Sequence, residues 1–201
     1  GTSNGISRFD GRVWRQWRST GETSLGSIQA MAADRYGNIW VSKIDPPMLF
    51  RFDQEEWKSL GGPDPNCYAP PMDYPGQQRP LYASCQSSLI EDSLGEVWMA
   101  STDKGLWRLG RTGTFSRFVP PPPLTIPDSL RVLREDHEGN LWVGTAEQGV
   151  LRINRERTSG QVLSSGLVGT RVHAFFQDSQ QKMWVGTDAG FGKALWASRD
   201  R

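Results

Sequence analysis

The sequence predicts an all-β protein, a β-propeller of four-stranded antiparallel blades. Three observations carry that prediction. The first is a repeated frame, Asp-x-x-Gly-x-apolar-Trp-apolar-small, at Asp34–Ser42, Asp92–Ala100 and Asp136–Gly144, with a fourth copy at Asp178–Gly186 in which Gln181 replaces the glycine. The second is its period. Trp40, Trp98, Trp142 and Trp184 lie 58, 44 and 42 residues apart, and a repeat of about 40–45 residues built from short strands is the signature of one propeller blade. The third is composition: 9 tryptophans, 22 glycines and 13 prolines in 201 residues suit a turn-rich β protein, and no segment shows the 3.6 period of a helix.

Each part of the frame has a local reason. An aspartate opening a type I turn accepts a backbone N–H two residues on, and a glycine at the fourth position supplies positive φ without a Cβ clash. Asp34 with Gly37, Asp92 with Gly95 and Asp136 with Gly139 therefore read as hairpin turns; Asp178 lacks the glycine, so its copy either carries strain of roughly 1–2 kcal/mol or uses another turn. The tryptophan three residues after the glycine sits in a run that is apolar on both sides, as expected of a strand buried between neighbouring blades. Two residues further, on the same face of the strand, come Ser42, Ala100, Gly144 and Gly186, small enough to admit a bulky group from the next blade. Burying one indole removes roughly 150–250 Å² from water, on the order of 4–6 kcal/mol before entropy.

In chain order, Gly5–Asp10 resembles Gly105–Gly110 and Gly149–Asn154. It reads as the third strand of a blade, with Val13–Trp17 as that blade's outer strand. The next blade takes Ile28–Ala33, Ile39–Ser42, Leu49–Phe52 and Trp57–Leu60. The one after it takes Ser87–Glu91, Val97–Ser101, Leu106–Leu109 and Phe115–Phe118. A further blade takes Leu130–Glu135, Leu141–Thr145, Val150–Ile153 and Gln161–Leu163, and the last supplies Val172–Gln177, Met183–Thr187 and Phe191–Trp196. That makes 17 strands, divided as a partial blade 1–27, a blade 28–60, a loop insertion 61–85, blades 86–118 and 130–164, and a partial blade 172–201. Gly1-Thr2 matches Gly144-Thr145 and Gly186-Thr187, so residue 1 falls inside a repeat and the chain reads as an excerpt of a longer one. Seven blades need about 300 residues at this repeat length. An arc cut from a seven-bladed ring is the expectation; the alternative is a closed four-bladed ring in which the N-terminal half blade completes the last.

Composition narrows function by exclusion. A net charge of +1 provides no field to steer nucleic acid. No apolar run approaches the length of a membrane span. Two cysteines cannot form a structural zinc site, and no metal or cofactor is expected. Cys67 and Cys85, inside the proline-rich insertion, either close a loop of about nineteen residues or remain free thiols. His137 falls in a turn and His173 in an inner strand, with no nucleophile that the sequence pairs with either. Arg8, Arg51, Arg108, Arg152 and Lys193 recur at one position of the third strand; a salt-bridged outer position explains them better than an anionic polysaccharide does. The connections between second and third strands and between outer and inner strands share one face of a propeller. There the chain places Lys43, Asp45, Asp103, Lys104, Glu147, Gln148, Arg171 and Asp188, with Tyr68, Tyr74 and Tyr82 from the insertion. Polar groups beside aromatic rings suit a sugar, whose hydroxyls need partners and whose C–H faces stack.

The fourth repeat reads Ser165-Gly166-Leu167-Val168-Gly169-Thr170-Arg171-Val172-His173-Ala174-Phe175-Phe176-Gln177-Asp178 and then Met183-Trp184-Val185-Gly186-Thr187-Asp188-Ala189-Gly190. This resembles the two-component regulator propeller repeat, and the third repeat resembles it nearly as well. The first two depart from it, with Ser42-Lys43 and Ala100-Ser101 where Gly-Thr is expected. The resemblance implies a seven-bladed propeller in the periplasmic or extracellular sensor region of an inner-membrane hybrid histidine kinase. It also implies an oligosaccharide ligand, no cofactor, a homodimeric full protein, and phosphorelay modules beyond this segment; catalysis is not expected of the segment itself. Virginiamycin B lyase shares a Gly-x-apolar-Trp repeat and is the enzymatic alternative, but lacks the Gly-Thr-x-x-Gly continuation; a plain protein-interaction propeller is the third reading.

Overall fold

The computed structural model describes residues 1–21, 23–43, 48–61, 88–102 and 104–194, and every regular element among them is a β-strand. A half blade pairs β1 (Ile6–Phe9) with β2 (Trp14–Trp17). The first full blade holds β5 (Ile28–Ala33), β6 (Ile39–Lys43), β7 (Met48–Phe52) and β8 (Trp57–Ser59). The second holds β9 (Ser88–Glu91), β10 (Val97–Ala100), β11 (Leu106–Leu109) and β12 (Phe115–Arg117). The third holds β13 (Leu130–Glu135), β14 (Leu141–Thr145), β15 (Val150–Ile153) and β16 (Gly160–Leu163). The fourth holds β17 (Val172–Gln177), β18 (Met183–Thr187) and β19 (Gly190–Ala194). Each blade is an antiparallel meander in chain order.

A two-residue ribbon, β3 (Ser19–Thr20) with β4 (Thr23–Ser24), lies between the half blade and the first full blade. The sequence reading missed it, because two residues show no alternation. The half blade and the fourth blade are separate sheets, so β1 and β2 do not complete β17–β19 into one closing blade. The blades stand side by side as an arc. Cys67 and Cys85 lie outside the described residues.

All four Asp turns are the same structure. Asp34, Asp92, Asp136 and Asp178 each accept on Oδ1 the amide N–H groups two and four residues on, at 2.8–3.0 Å. The fourth residue is left-handed in every copy: Gly37 at φ 82°, Gly95 at 79°, Gly139 at 86° and Gln181 at 65°. The copy without glycine therefore keeps the common turn and accepts the strain. Replacing Gln181 with glycine is expected to stabilise the chain by about 1 kcal/mol, because relief of roughly 1–2 kcal/mol of left-handed strain exceeds the added flexibility of the unfolded glycine. A rise in the urea midpoint at constant slope reports it; an unchanged or lower midpoint contradicts it.

The second carboxylate oxygen does something the turn pattern alone did not reveal. Oδ2 accepts the indole N–H of the tryptophan six residues downstream: Trp40 at 3.2 Å, Trp98 and Trp142 at 2.7 Å, Trp184 at 2.8 Å. An indole N–H taken out of water needs an acceptor, and the aspartate supplies it without leaving the turn. Across the sheet each tryptophan faces the basic residue of the third strand: Trp40 with Arg51, Trp98 with Arg108, Trp142 with Arg152, Trp184 with Lys193. The guanidinium carbons of Arg51, Arg108 and Arg152 lie 5.7–5.8 Å from the indole centroids, within cation–π range. Arg108 and Arg152 also reach Glu96 and Glu138. These arginines are packing groups.

Blades are joined by apolar wedges and polar staples. Trp98 shares a cluster with Leu133 and Leu141 of the next blade, and Trp142 with Phe175 and Met183. Gly144 is small for the reason expected: a Cβ there would lie 2.6 Å from Cγ1 of Val172 in the next blade. The staples repeat too. The residue after each turn aspartate meets the residue before the aspartate of the following blade. Arg35 lies 3.7 Å from Glu91, Ser93 gives its amide and hydroxyl to Glu135 at 2.7 Å, and His137 and Gln177 exchange two bonds at 3.0 and 2.7 Å. Arg157 makes the deepest crossing. From the β15–β16 turn it donates to Asp92 Oδ2 of the previous blade and to the Gly139 carbonyl, both at 2.9 Å.

Candidate functional site

On the face opposite the Asp turns, backbone bonds tie the second-to-third-strand loops of the second, third and fourth blades to connections entering an inner strand. Gly149 N–H donates to the Thr170 carbonyl at 2.8 Å, Asp188 N–H to Arg171 at 3.1 Å, Ala146 N–H to Ser129 at 3.1 Å and Gly105 N–H to Asp128 at 2.9 Å. The Gly-Thr pair closes these loops. Thr145 Oγ1 donates to the Gly149 carbonyl at 3.0 Å and accepts the Gln148 amide at 2.7 Å, and Thr187 Oγ1 donates to the Gly190 carbonyl at 2.9 Å. In the second blade Ser101 takes this place and accepts the Lys104 amide at 3.0 Å.

The scaffold brings part of the expected residue set together. Glu147, Gln148, Arg171 and Asp188 are exposed on this face, and Lys104 is half-exposed. Among the described residues, no hydrogen bond or ion pair engages their side chains. Lys43 departs from the expectation. It is 4% exposed and its ammonium donates to the Ser24 carbonyl at 2.8 Å; the irregular ribbon β3–β4 supplies that acceptor, so this lysine is a buried strut. Asp45, Asp103, Tyr68, Tyr74 and Tyr82 lie outside the described residues.

Three residues that the sequence reading did not single out as ligand groups belong here. In β5, β13 and β17 the register slips by one at the second residue, leaving Gln29, Arg131 and His173 unpaired in a β-bulge. Bulges re-aim side chains and recur beside functional sites. The bulges sit at the loop end of the inner strands, because Leu130 and Val172 pair with Thr145 and Thr187, where the loops begin. Arg131 Nη2 donates to Nδ1 of His173 at 3.4 Å, bridging two blades. With Lys104 and Arg171 they mix cations with the carboxylates of Glu147 and Asp188. No periodic sequence signal marks these bulges.

On the Asp-turn face the repeated aspartates are committed to the fold. The indole N–H of Trp184 and the amides of Lys182 and Gln180 hold the Asp178 carboxyl below the ordinary carboxylate range. Asp34 is lowered as well: burial opposes ionisation there, but bonds from Asn38, Tyr36 and Trp40 outweigh it. Burial and the charge of Asp34 push Glu91 the other way. His137 accepts on Nδ1 from Gln177 and is a staple. Among the described residues no group of three His, Cys, Asp or Glu side chains is placed to hold a metal ion.

A family model described as "Two component regulator propeller" matches residues 126–147 and 166–189, each running through an inner strand, an Asp turn or its approach, and the Gly-Thr loop. Two of the four repeats thus match that family's repeat. No curated protein matches it. Among solved structures, this chain is similar to the extracellular domain of a protein described as a one component system from B. thetaiotaomicron, at 20% identity and a TM-score of 0.69 over 98% of this chain and 26% of that one. It is equally similar to the extracellular domain of a hybrid two component system from the same organism, at 16% identity and a TM-score of 0.69, again over 98% and 26%. Virginiamycin B lyase from Staphylococcus aureus is similar at 14% identity and a TM-score of 0.60, over 90% of this chain and 59% of the lyase. At these identities the likeness is one of fold. The chain spans about a quarter of the two extracellular domains.

Proposed function

We propose that this chain is the ligand-sensing propeller segment of an extracellular or periplasmic sensor, and that it recognises an oligosaccharide and passes occupancy to an output module such as a histidine kinase. The observation that carries the reading is the contrast between the two faces. On the Asp-turn face the repeated aspartates and the residues flanking them are committed to indoles, backbone amides and inter-blade staples. On the loop face Glu147, Gln148, Arg171 and Asp188 have no internal task among the described residues. On the same face, bulges in the first, third and fourth blades present an amide, a guanidinium and an imidazole. Such a set can donate to and accept from sugar hydroxyls, each of which is costly to bury unpaired. The extracellular, signalling context of two similar structures supports the same reading.

Calorimetry against a panel of neutral and acidic oligosaccharides, on the protein that contains the complete propeller, tests it. Arg171→Ala and Lys104→Ala are expected to weaken binding about tenfold or more, the loss of one charge-assisted hydrogen bond each. Glu138→Ala, on the opposite face, is expected to leave affinity unchanged. Affinity lost only in the Glu138 variant would place the site on the other face, and turnover of the bound glycan would replace the sensor reading with an enzymatic one.

A further inference from the structure

Among the described residues five arginines are not exposed: Arg51, Arg108, Arg131, Arg152 and Arg157. Four of them are spent on the fold. Arg51, Arg108, Arg152 and Arg157 lie over an indole, with guanidinium carbons 5.3–5.8 Å from the ring centroid, and the last three also pair with Glu96, Glu138 and Asp92. Arg131 has neither a ring nor a carboxylate among the described residues. Its Nε is buried without a partner, and its guanidinium makes one long bond, from Nη2 to Nδ1 of His173 at 3.4 Å. A guanidinium drawn partly out of water without a counter-charge is costly, and no packing gain on the page offsets that cost.

Arg131 and His173 meet because two neighbouring blades share one irregularity. Arg131 is the unpaired residue between Leu130 and Val132, and His173 the unpaired residue between Val172 and Ala174. The same slip re-aims both side chains at the loop end of adjacent inner strands. Their contact fixes what the pair can offer a ligand. A guanidinium only donates, so Nδ1 of His173 is the acceptor and the ring proton sits on Nε2. What remains is a set of donors, the other Nη hydrogens of Arg131 and the Nε2–H of His173, with no acceptor among them. A sugar hydroxyl both donates and accepts. A carboxylate only accepts, takes two parallel N–H bonds from one guanidinium, and brings the missing negative charge.

We propose that Arg131 and His173 bind the carboxylate of an acidic sugar, so that the ligand of the loop face is an oligosaccharide containing uronic acid. This rests on the reading of that face as the oligosaccharide site. The surrounding groups suit one acid group set among hydroxyls. Lys104 and Arg171 add positive charge, while the exposed carboxylates of Glu147 and Asp188 accept from hydroxyls and repel a ligand charged at every position.

The test uses the protein that contains the complete propeller. Glucuronate and galacturonate are titrated beside glucose and galactose, with ionic strength held constant by sodium chloride. The ring resonances of His173, assigned by their loss in His173→Ala, are the readout, and those of His137 on the opposite face are the control. The uronates are expected to shift the His173 signals saturably and leave His137 in place; the neutral sugars are expected to move neither. Arg131→Gln is expected to weaken the uronate response about tenfold or more, the loss of one charge-assisted bond. Arg131→Lys is expected to keep part of it, because the charge survives and the planar fork does not. Calorimetry on His173→Ala, expected to show weaker uronate binding, gives a second route through a different side chain. His173 unmoved by both uronates overturns the proposal, as does an equal shift with the neutral sugars or a response that Arg131→Gln leaves unchanged. The two readings fail separately. Oligosaccharide binding that depends on Arg171 and is indifferent to Arg131→Gln keeps the face and overturns the acid-group assignment. Uronate shifts lost in Arg131→Gln, in a protein that binds no oligosaccharide, uphold the assignment and overturn the oligosaccharide reading.

Discussion

Trp98→Ala is expected to destabilise the chain by about 3–5 kcal/mol, and Trp57→Ala by much less. Trp98 is fully buried, packs edge-on against Phe118 with ring centroids 5.2 Å apart, and shares a cluster with Leu133 and Leu141 of the next blade. Removing it opens a cavity between two blades that are held apart by other contacts and cannot fully collapse, the circumstance in which large-to-small substitutions cost most. It also strips the indole donor from Asp92 and the aromatic face from Arg108 and Arg157. Trp57 lies on an outer strand, half-buried, against Phe52 and Trp17, where solvent can follow the deletion inward. Trp184, with no further blade over it among the described residues, is half-buried and falls between the two. Trp98→Phe separates packing from hydrogen bonding: most apolar burial survives, and the remaining loss of about 1–2 kcal/mol measures the stranded acceptor. Urea melts of the four variants decide. Equal losses at Trp98 and Trp57 would mean that the tryptophans are not the inter-blade wedges.

The fold was legible because its glue is periodic. Asp, Gly and Trp repeat at fixed offsets, and the turn chemistry of Asp34–Gly37 and the two-sided burial around Trp142 follow from residue type alone. What escaped was whatever did not repeat or depended on a neighbouring blade. Gln29, Arg131 and His173 share a bulge but no residue type. The ribbon Ser19–Ser24 is too short to alternate, and it is the ribbon that turns Lys43 from a candidate ligand group into a buried strut. The bond from tryptophan to aspartate could have been inferred: indoles taken out of water need acceptors, and aspartate is the acceptor that recurs as the same residue at one constant offset from all four. The candidate binding face was legible in outline, since propeller connectivity dictates which loops share a side. Which loop residues stay uncommitted is a property of packing, and appears only once the staples are seen.

Arg157 carries the second large effect, and no repeat announces it. Its side chain is 6% exposed and that of Asp92 is not exposed at all. The guanidinium donates to Asp92, to the Gly139 carbonyl and to the Asn154 carbonyl, and its carbon lies 5.3 Å from the Trp98 centroid. It sits at φ 61°, a conformation that L side chains adopt at a cost, so the contacts must outweigh that strain. Arg157→Met is expected to destabilise by about 3–5 kcal/mol, because a carboxylate then remains buried without its counter-charge. Asp92→Ala should cost at least as much, since the turn amides of Leu94 and Glu96 and the indole of Trp98 lose their acceptor along with Arg157. The pair is distinguished from its surroundings by the double variant. With both charges gone neither is stranded, and the loss is expected to fall short of the sum of the single losses by about 1–3 kcal/mol. Screening offers an independent check: raising salt to about 1 M should weaken exposed pairs such as Arg117–Asp128 while leaving the Arg157–Asp92 coupling nearly intact. Strict additivity in the cycle, or a coupling that salt abolishes, would show that Arg157 holds the second and third blades together by packing and backbone bonds, with no net contribution from its charge.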